Sequence, residues 1–365
     1  MADDFDDDET DDTTAADEGA SAPLPRENPD LIGQERAEAA LLEAYNAGRL
    51  PHAWLITGPR GIGKATLAFR FARFLFAQSG DGPGLFAAPP ASLASDSNHP
   101  AYRRVASGGH ADLLLIEIGY DPKRNRRRNE IVVGDVRQIG DFLHLTPAEG
   151  GWRIVIVDGA DDMNRNAANA LLKVLEEPSE RSLLLITAAS PGRLLPTIRS
   201  RCRHLAMPPL AETQVVELIR KYLPSTGAKD AAALAQLAEG SIGRALDLAA
   251  SGGVALDREM TALLSTLPAL DGGALDRFAD RAARSGGEEA FRLVAELLPA
   301  RLARMIRDAA SGAAAPPKFL ARRPLDRWVE VWEKLVDLFA LVDAVNLDRK
   351  QVMLNAFFTL EEAAR

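Results

Sequence analysis

The chain has 365 residues, 47% of them hydrophobic, a formal net charge of −9 and a single cysteine. That length exceeds one ordinary domain and predicts two or three, and one cysteine excludes an internal disulfide framework or a cysteine zinc site. No apolar run nears the roughly 18 residues that span a bilayer, and the first residues are acidic where a secretion signal would be basic and then apolar, so a soluble cytoplasmic protein without membrane contact is expected.

Residues 1–18 carry ten acids and no Lys or Arg, which leaves the rest of the chain at +1, so the acidic balance describes a tail. With almost no large apolar groups, residues 1–27 cannot bury enough surface to offset the entropy of ordering and read as a disordered acidic tail. Leu31–Leu50 carries Ala37, Ala40, Leu41 and Ala44 at helical spacing. The short apolar run Ala53–Thr57 then enters Gly58-Pro59-Arg60-Gly61-Ile62-Gly63-Lys64-Ala65-Thr66, and amphipathic Leu67–Phe76 follows. Strand, glycine-rich loop and helix in that order converge backbone N–H groups and a positive helix end on one anion. Gly58, Gly61, Gly63, Lys64 and Thr66 are therefore candidate nucleotide-binding residues. The hydroxyl that should hold magnesium is missing, because Ala65 stands in its place. Thr66 is turned from that position by about 100° along a helix.

Residues 79–100 read as a connecting loop, and Leu113–Ile118 as a buried strand. Lys123-Arg124-Asn125-Arg126-Arg127-Arg128 has five basic residues in six, which either contact phosphates or form a solvated loop. Val132–Leu145 reads as a helix with Val133, Val136, Ile139, Phe142 and Leu143 on one face. Trp152–Asp158 is a β-branched strand whose terminal Asp158 suits a metal-binding acid, and Gly159 stands where a catalytic Glu is expected. A helix over Asn166–Glu177, stopped by Pro178, leads to a strand at Leu183–Thr187. Strands alternating with helices predict a parallel sheet with helices on both faces. Beyond Pro208-Pro209 only helices are expected: three short ones over Ala211–Ala249, then helix from Asp257 onward, broken at Gly272-Gly273, Gly286-Gly287 and Gly312–Pro317. Trp328, Val331, Trp332, Leu335, Leu338, Phe339 and Val342 follow the spacing of a buried helical face.

The run Asn169-Ala170-Leu171-Leu172-Lys173-Val174-Leu175-Glu176-Glu177-Pro178, followed by Pro196-Thr197-Ile198-Arg199-Ser200-Arg201-Cys202, resembles the bacterial replication clamp-loader branch of the AAA+ superfamily, and the likeness runs from about Asn28 to Leu248. The resemblance implies an α/β fold: an AAA+ P-loop domain with a parallel five-stranded sheet over 28–208, a helical lid over 209–255 and an all-α C-terminal oligomerisation domain over 256–365. It implies that Arg201 is an arginine finger acting in trans on the ATP of a neighbouring subunit. The sensor arginine of the family falls at Gly243, with Arg244 one residue later, so Arg244 and Asp158 join the loop residues in a degenerate nucleotide site. The γ-phosphate-sensing position falls near Ala188-Ala189, where no side chain can hydrogen-bond. Many relatives carry a four-cysteine zinc module where this chain has Asp96–His110. That stretch holds no cysteine, and Asp96, His99 and His110 alone make an unusual ligand set, so neither zinc nor another metal is expected.

With Ala65 and Gly159 both subtracting hydrolysis, the chain resembles the non-hydrolysing members of that family. No cofactor is then required, ATP or ADP is at most bound without hydrolysis, and ATPase activity of its own is absent or very weak. The resemblance implies a hetero-oligomer with gamma/tau ATPase and delta subunits within the DNA polymerase III holoenzyme, a DNA-directed nucleotidyltransferase, which reaches the sliding clamp indirectly and primed DNA as part of the complex. Two alternatives stay open: a catalytically competent gamma/tau-like ATPase in which Thr66 or water replaces the missing ligand, and a DNA-binding module built on residues 123–128.

Overall fold

The computed structural model describes residues 22–79, 89–121, 125–149, 151–284, 287–313, 315–345 and 347–365. Most of the acidic tail, residues 1–21, lies outside them, as do Lys123 and Arg124 of the basic run. The chain divides into two units, one holding the described residues up to Ala231 together with Glu239–Gly243, the other Ala232–Ala238 with Arg244–Arg365.

In the first unit the elements run α1 (Glu35–Asn46), β1 (Ala53–Thr57), α2 (Lys64–Ser79), α3 (Pro100–Ala106), β2 (Leu113–Ile116), β3 (Tyr120–Asp121), β4 (Arg126–Arg127), α4 (Val133–His144), β5 (Arg153–Val157), α5 (Arg165–Glu176), β6 (Ser182–Ala188), α6 (Pro196–Arg201), β7 (Arg203–Ala206) and α7 (Glu212–Tyr222). Five strands form one sheet in the order β2-β5-β6-β1-β7, and every pairing is parallel. Both faces are covered, which explains why β5 and β6 are buried along their whole length and why Ile154–Val157 and Leu183–Ile186 read as unbroken apolar runs.

Alternation along each strand sorts the core into two layers. Trp54, Ile56, Ile154, Ile156, Leu183 and Leu185 face Leu41, Phe71, Phe74 and Leu75 of α1 and α2. Ala53, Leu55, Val155, Val157, Leu184 and Ile186 face Val136, Ile139, Leu171, Leu175 and Ile198 of α4, α5 and α6. Burial of that apolar surface on both faces, at about 25 cal/mol per Å², is what holds the sheet and fixes the loops at its two ends.

Several elements depart from expectation. α3 begins inside the stretch read as a loop, started by Pro100 and by His99, whose Nδ1 accepts from the Ala101 N–H at 3.2 Å. The basic run falls partly in the β3–β4 hairpin, where Arg128 turns back to Asp135 at 2.8 Å. The residue pattern places neither α6 nor the fifth strand that the resemblance implies; that strand, β7, is an edge strand that buries only Leu205 of its four residues, too little to leave a pattern. Near the amino end, residues 24–28 form a turn held by the buried Arg73, which donates to Arg26 O at 2.9 Å and Asn28 O at 2.6 Å, and by Tyr102, whose hydroxyl donates to Glu27 O at 2.8 Å.

Helix α8 (Ala228–Ala238) is shared between the units, and the second unit continues with α9 (Ile242–Ala250), α10 (Gly253–Ser265), α11 (Gly272–Ala283), α12 (Glu288–Ser311), α13 (Leu325–Val345) and α14 (Arg349–Ala364). Its core is mainly aliphatic with aromatic contacts set into it: Trp328 is fully buried and donates to Leu320 O at 3.0 Å, Phe278 meets Phe357 edge-on, and Phe291 meets Phe339. Among the described residues no helix is long and apolar enough to cross a membrane.

Candidate functional site

The glycine-rich loop leaves the C-terminal end of β1 and turns into α2 at Lys64. Gly58, Gly61 and Gly63 all have positive φ, 147°, 72° and 98°, which L side chains rarely adopt, so the sequence can close this loop only with glycine. Lys64 is buried, and its ammonium donates to Gly58 O at 2.9 Å and Pro59 O at 2.6 Å, two carbonyls of its own loop. Burial pulls its pKa below the ordinary lysine value, partly offset by the charges of Asp158 and Asp161.

Asp158 follows β5, beside the loop, as the sequence placed it. Its Oδ1 accepts from the hydroxyl of Thr187 at 2.6 Å, and that hydroxyl in turn accepts from the Gly159 N–H at 2.9 Å. Thr187 is fully buried, and strand alternation aims it, not the neighbouring Ala188 or Ala189, toward Asp158; its role is not legible from the sequence pattern. Asp161 is buried as well and accepts from the N–H groups of Ala189 at 3.1 Å and Ser190 at 2.9 Å. Asp162 takes the Arg60 guanidinium on both oxygens at 2.9 and 2.8 Å, pinning the loop's tip to the segment after β5.

A second brace is backbone on backbone. Gly243 N donates to Gly61 O at 3.0 Å, and a Cβ on Gly243 would lie 2.8 Å from Gly61 Cα. Glycine at 243 is thus dictated locally by close approach to the loop. Arg244 belongs to the second unit, where it pairs with Glu296 at 2.9 Å. Thr66 is buried in the first turn of α2.

Arg201 ends α6 at the other edge of the same sheet. β7 runs parallel to β1 with Arg203 opposite Trp54 and Ala206 opposite Thr57, so Arg201 precedes the strand at its N-terminal edge, while the loop leaves β1 at the C-terminal edge. Four residues of strand at about 3.3 Å each lie between. The Arg201 guanidinium is partly exposed, pairs with Glu176 Oε1 at 2.8 Å and donates to Thr197 O at 3.0 Å. Beneath it Cys202 is buried, and burial pushes its thiol pKa up to about 12, which removes it as a nucleophile.

Asp96, His99 and His110 have structural partners. Asp96 accepts from Asn98 N, His99 caps α3, and His110 stacks on Phe76 with ring centroids 3.7 Å apart. Among the described residues no group of three or more His, Cys, Asp or Glu is placed to hold a metal ion.

The family described as DNA polymerase III, delta subunit, matches residues 33–211. DNA polymerase III subunit delta' of Pseudomonas aeruginosa is 37% identical over 190 residues, 52% of this chain and 53% of that one. Over that matched region the chain is similar to the clamp-loader subunits of DNA polymerase III. Subunit tau of Escherichia coli is 30% identical over 247 residues, 65% of this chain and 36% of its own length. The chain thus spans about half or less of these curated relatives. Among solved structures, a gamma-subunit-related protein of Thermotoga maritima covers 89% of this chain and 100% of its own at 19% identity, with a TM-score of only 0.37. In the sheet of this chain the glycine-rich loop leaves β1, which lies between β6 and β7.

Proposed function

We propose that this chain is a non-hydrolysing, delta-prime-type subunit of the DNA polymerase III clamp loader, a scaffold that presents Arg201 to the ATP of a neighbouring gamma/tau-type ATPase. The complex, completed by a delta subunit, would place the sliding clamp on primed DNA. The observation that carries the reading is the separation of Arg201 from the chain's own loop by the length of the sheet: an arginine at the far edge cannot serve the nucleotide site of its own chain. Supporting it, Lys64 is satisfied by Gly58 O and Pro59 O, Ala65 offers no hydroxyl to magnesium, and Gly159 offers no carboxylate to water. If nucleotide enters at all, Lys64 and the loop N–H groups would hold its phosphates, with no turnover.

The expected outcome is that the isolated chain hydrolyses ATP no faster than its Lys64→Ala variant. In the reconstituted complex, Arg201→Ala lowers the ATPase rate by at least about tenfold, as loss of a trans arginine does elsewhere, with assembly unchanged on sizing. Robust magnesium-dependent turnover by the isolated chain would instead favour the gamma/tau-like reading. That reading has one observation behind it: the likeness to tau extends over more of this chain than the likeness to delta'.

A further inference from the structure

Arg201 is held, and the group that holds it has no part in the reading above. Helix α5 ends at Glu176 because Pro178 cannot continue it, and α6 is only six residues long, started by Pro196. Those two ends meet at the N-terminal edge of the sheet. Glu176 Oε1 pairs with one terminal nitrogen of Arg201 at 2.8 Å, and the other nitrogen folds back onto Thr197 O at 3.0 Å, one turn earlier in the same helix. A guanidinium curled onto its own helix is not extended toward another molecule, so reaching a phosphate in a neighbouring subunit requires both contacts to open.

We propose that Glu176 is a positioning residue that keeps Arg201 retracted until a nucleotide phosphate outcompetes it. The inference rests on the reading of Arg201 as a trans arginine. Its chemistry follows from the geometry: Glu176 offers one carboxylate oxygen at the surface, whereas a nucleotide triphosphate offers several oxygens and more charge, enough for a two-pronged guanidinium contact. Both side chains are partly exposed, 37% for Arg201 and 50% for Glu176, so the retracting pair is weak and salt-sensitive. Such a contact biases the finger without blocking it. An empty or diphosphate-bound neighbour would leave Arg201 with Glu176, and a triphosphate would draw it out.

The test uses the complex reconstituted with its ATPase subunit and compares the wild type with Glu176→Gln, Arg201→Ala and the double variant, with Glu177→Gln as a neighbouring control. Removing the retracting charge is expected to raise the turnover number about two- to fourfold at low salt, the scale of an exposed ion pair. That gain should shrink toward one as salt rises and vanish in the Arg201→Ala background. Glu177→Gln and the thermal midpoint should not respond. A Glu176→Gln rate equal to wild type, or one that falls as Arg201→Ala falls, overturns the inference while leaving the trans arginine intact. If Arg201→Ala itself does nothing, the functional reading fails and the inference with it.

Discussion

The two edges of one parallel sheet are finished in opposite ways. At the C-terminal edge the charged groups are matched inside the chain: Lys64 by two carbonyls, Asp158 by Thr187, Asp161 by two backbone N–H groups and Arg60 by Asp162. Lys64, Thr187 and Asp161 are also buried, so loss of a partner there costs the desolvation of the other, about 1–3 kcal/mol. At the N-terminal edge Arg201 leans on an exposed carboxylate and a carbonyl of its own helix, contacts worth about 0–1 kcal/mol. A group can act on another molecule only where its own chain holds it loosely. On the proposed reading, the buried partners mark the loop edge as architecture, and Arg201 is the group that acts outside the chain.

The largest expected effect is at the loop edge. Gly61→Ala adds a Cβ at φ 72° that would lie 2.9 Å from Gly243 Cα, combining backbone strain with overpacking against backbone that has no flexible end to yield. A loss of about 2–4 kcal/mol is expected in urea unfolding, against almost nothing for Gly192→Ala, where an added Cβ meets no atom within 4 Å. Equal midpoints for the two variants would mean that the loop is not braced, and the contrast between the edges would go. Thr187→Val comes next. It keeps the shape but leaves the Asp158 carboxylate and the Gly159 N–H without the hydroxyl they share, for a loss of about 1–3 kcal/mol by the same measurement.

How much of this was legible depended on whether a residue's role is local. The loop, its helix, and strands β1, β5 and β6 could be read because a buried parallel strand writes its environment as an apolar run, and because Gly58, Gly61 and Gly63 answer to the backbone at their own positions. β7 could not, since an edge strand with one buried residue in four has no periodicity to show. Nor could the partners of Thr187, Arg60 or Gly243, which lie 28 or more residues away and are joined only by the fold. Glu176 was legible as part of a motif, while its contact with Arg201 needed the C-terminus of α5 and the whole of α6 in place.

A smaller effect sharpens the arginine edge. Cys202, adjacent to Arg201, has its thiol pKa raised to about 12 by burial, so the folded state keeps a proton that an unfolded chain releases near its ordinary value of about 8.5. The sign follows: the contribution to stability is fully present below that value and is lost as pH rises toward 12. Alkylation of the native protein should therefore stay slow and nearly flat from pH 7 to 9, while the urea-unfolded chain reacts faster and accelerates with pH. Rapid native labelling would mean that this edge is loose down to its core and not only at its surface charge.

The smallest expected effect is the one on which the contrast turns. Arg201→Ala removes a partly exposed ion pair and one hydrogen bond to a helix-end carbonyl, and both Glu176 and Thr197 O can be taken up by water. Unfolding stability should change by no more than about 0.5 kcal/mol, within the range of surface substitutions that touch no buried group. The near-zero value is informative because the same substitution is expected to lower the ATPase rate of the complex by at least about tenfold. A residue that costs its own fold nothing and its neighbour's chemistry a great deal has its partner outside the chain. A loss above about 1.5 kcal/mol would instead mark Arg201 as a clamp between α5 and α6, and both edges of the sheet would then be architecture.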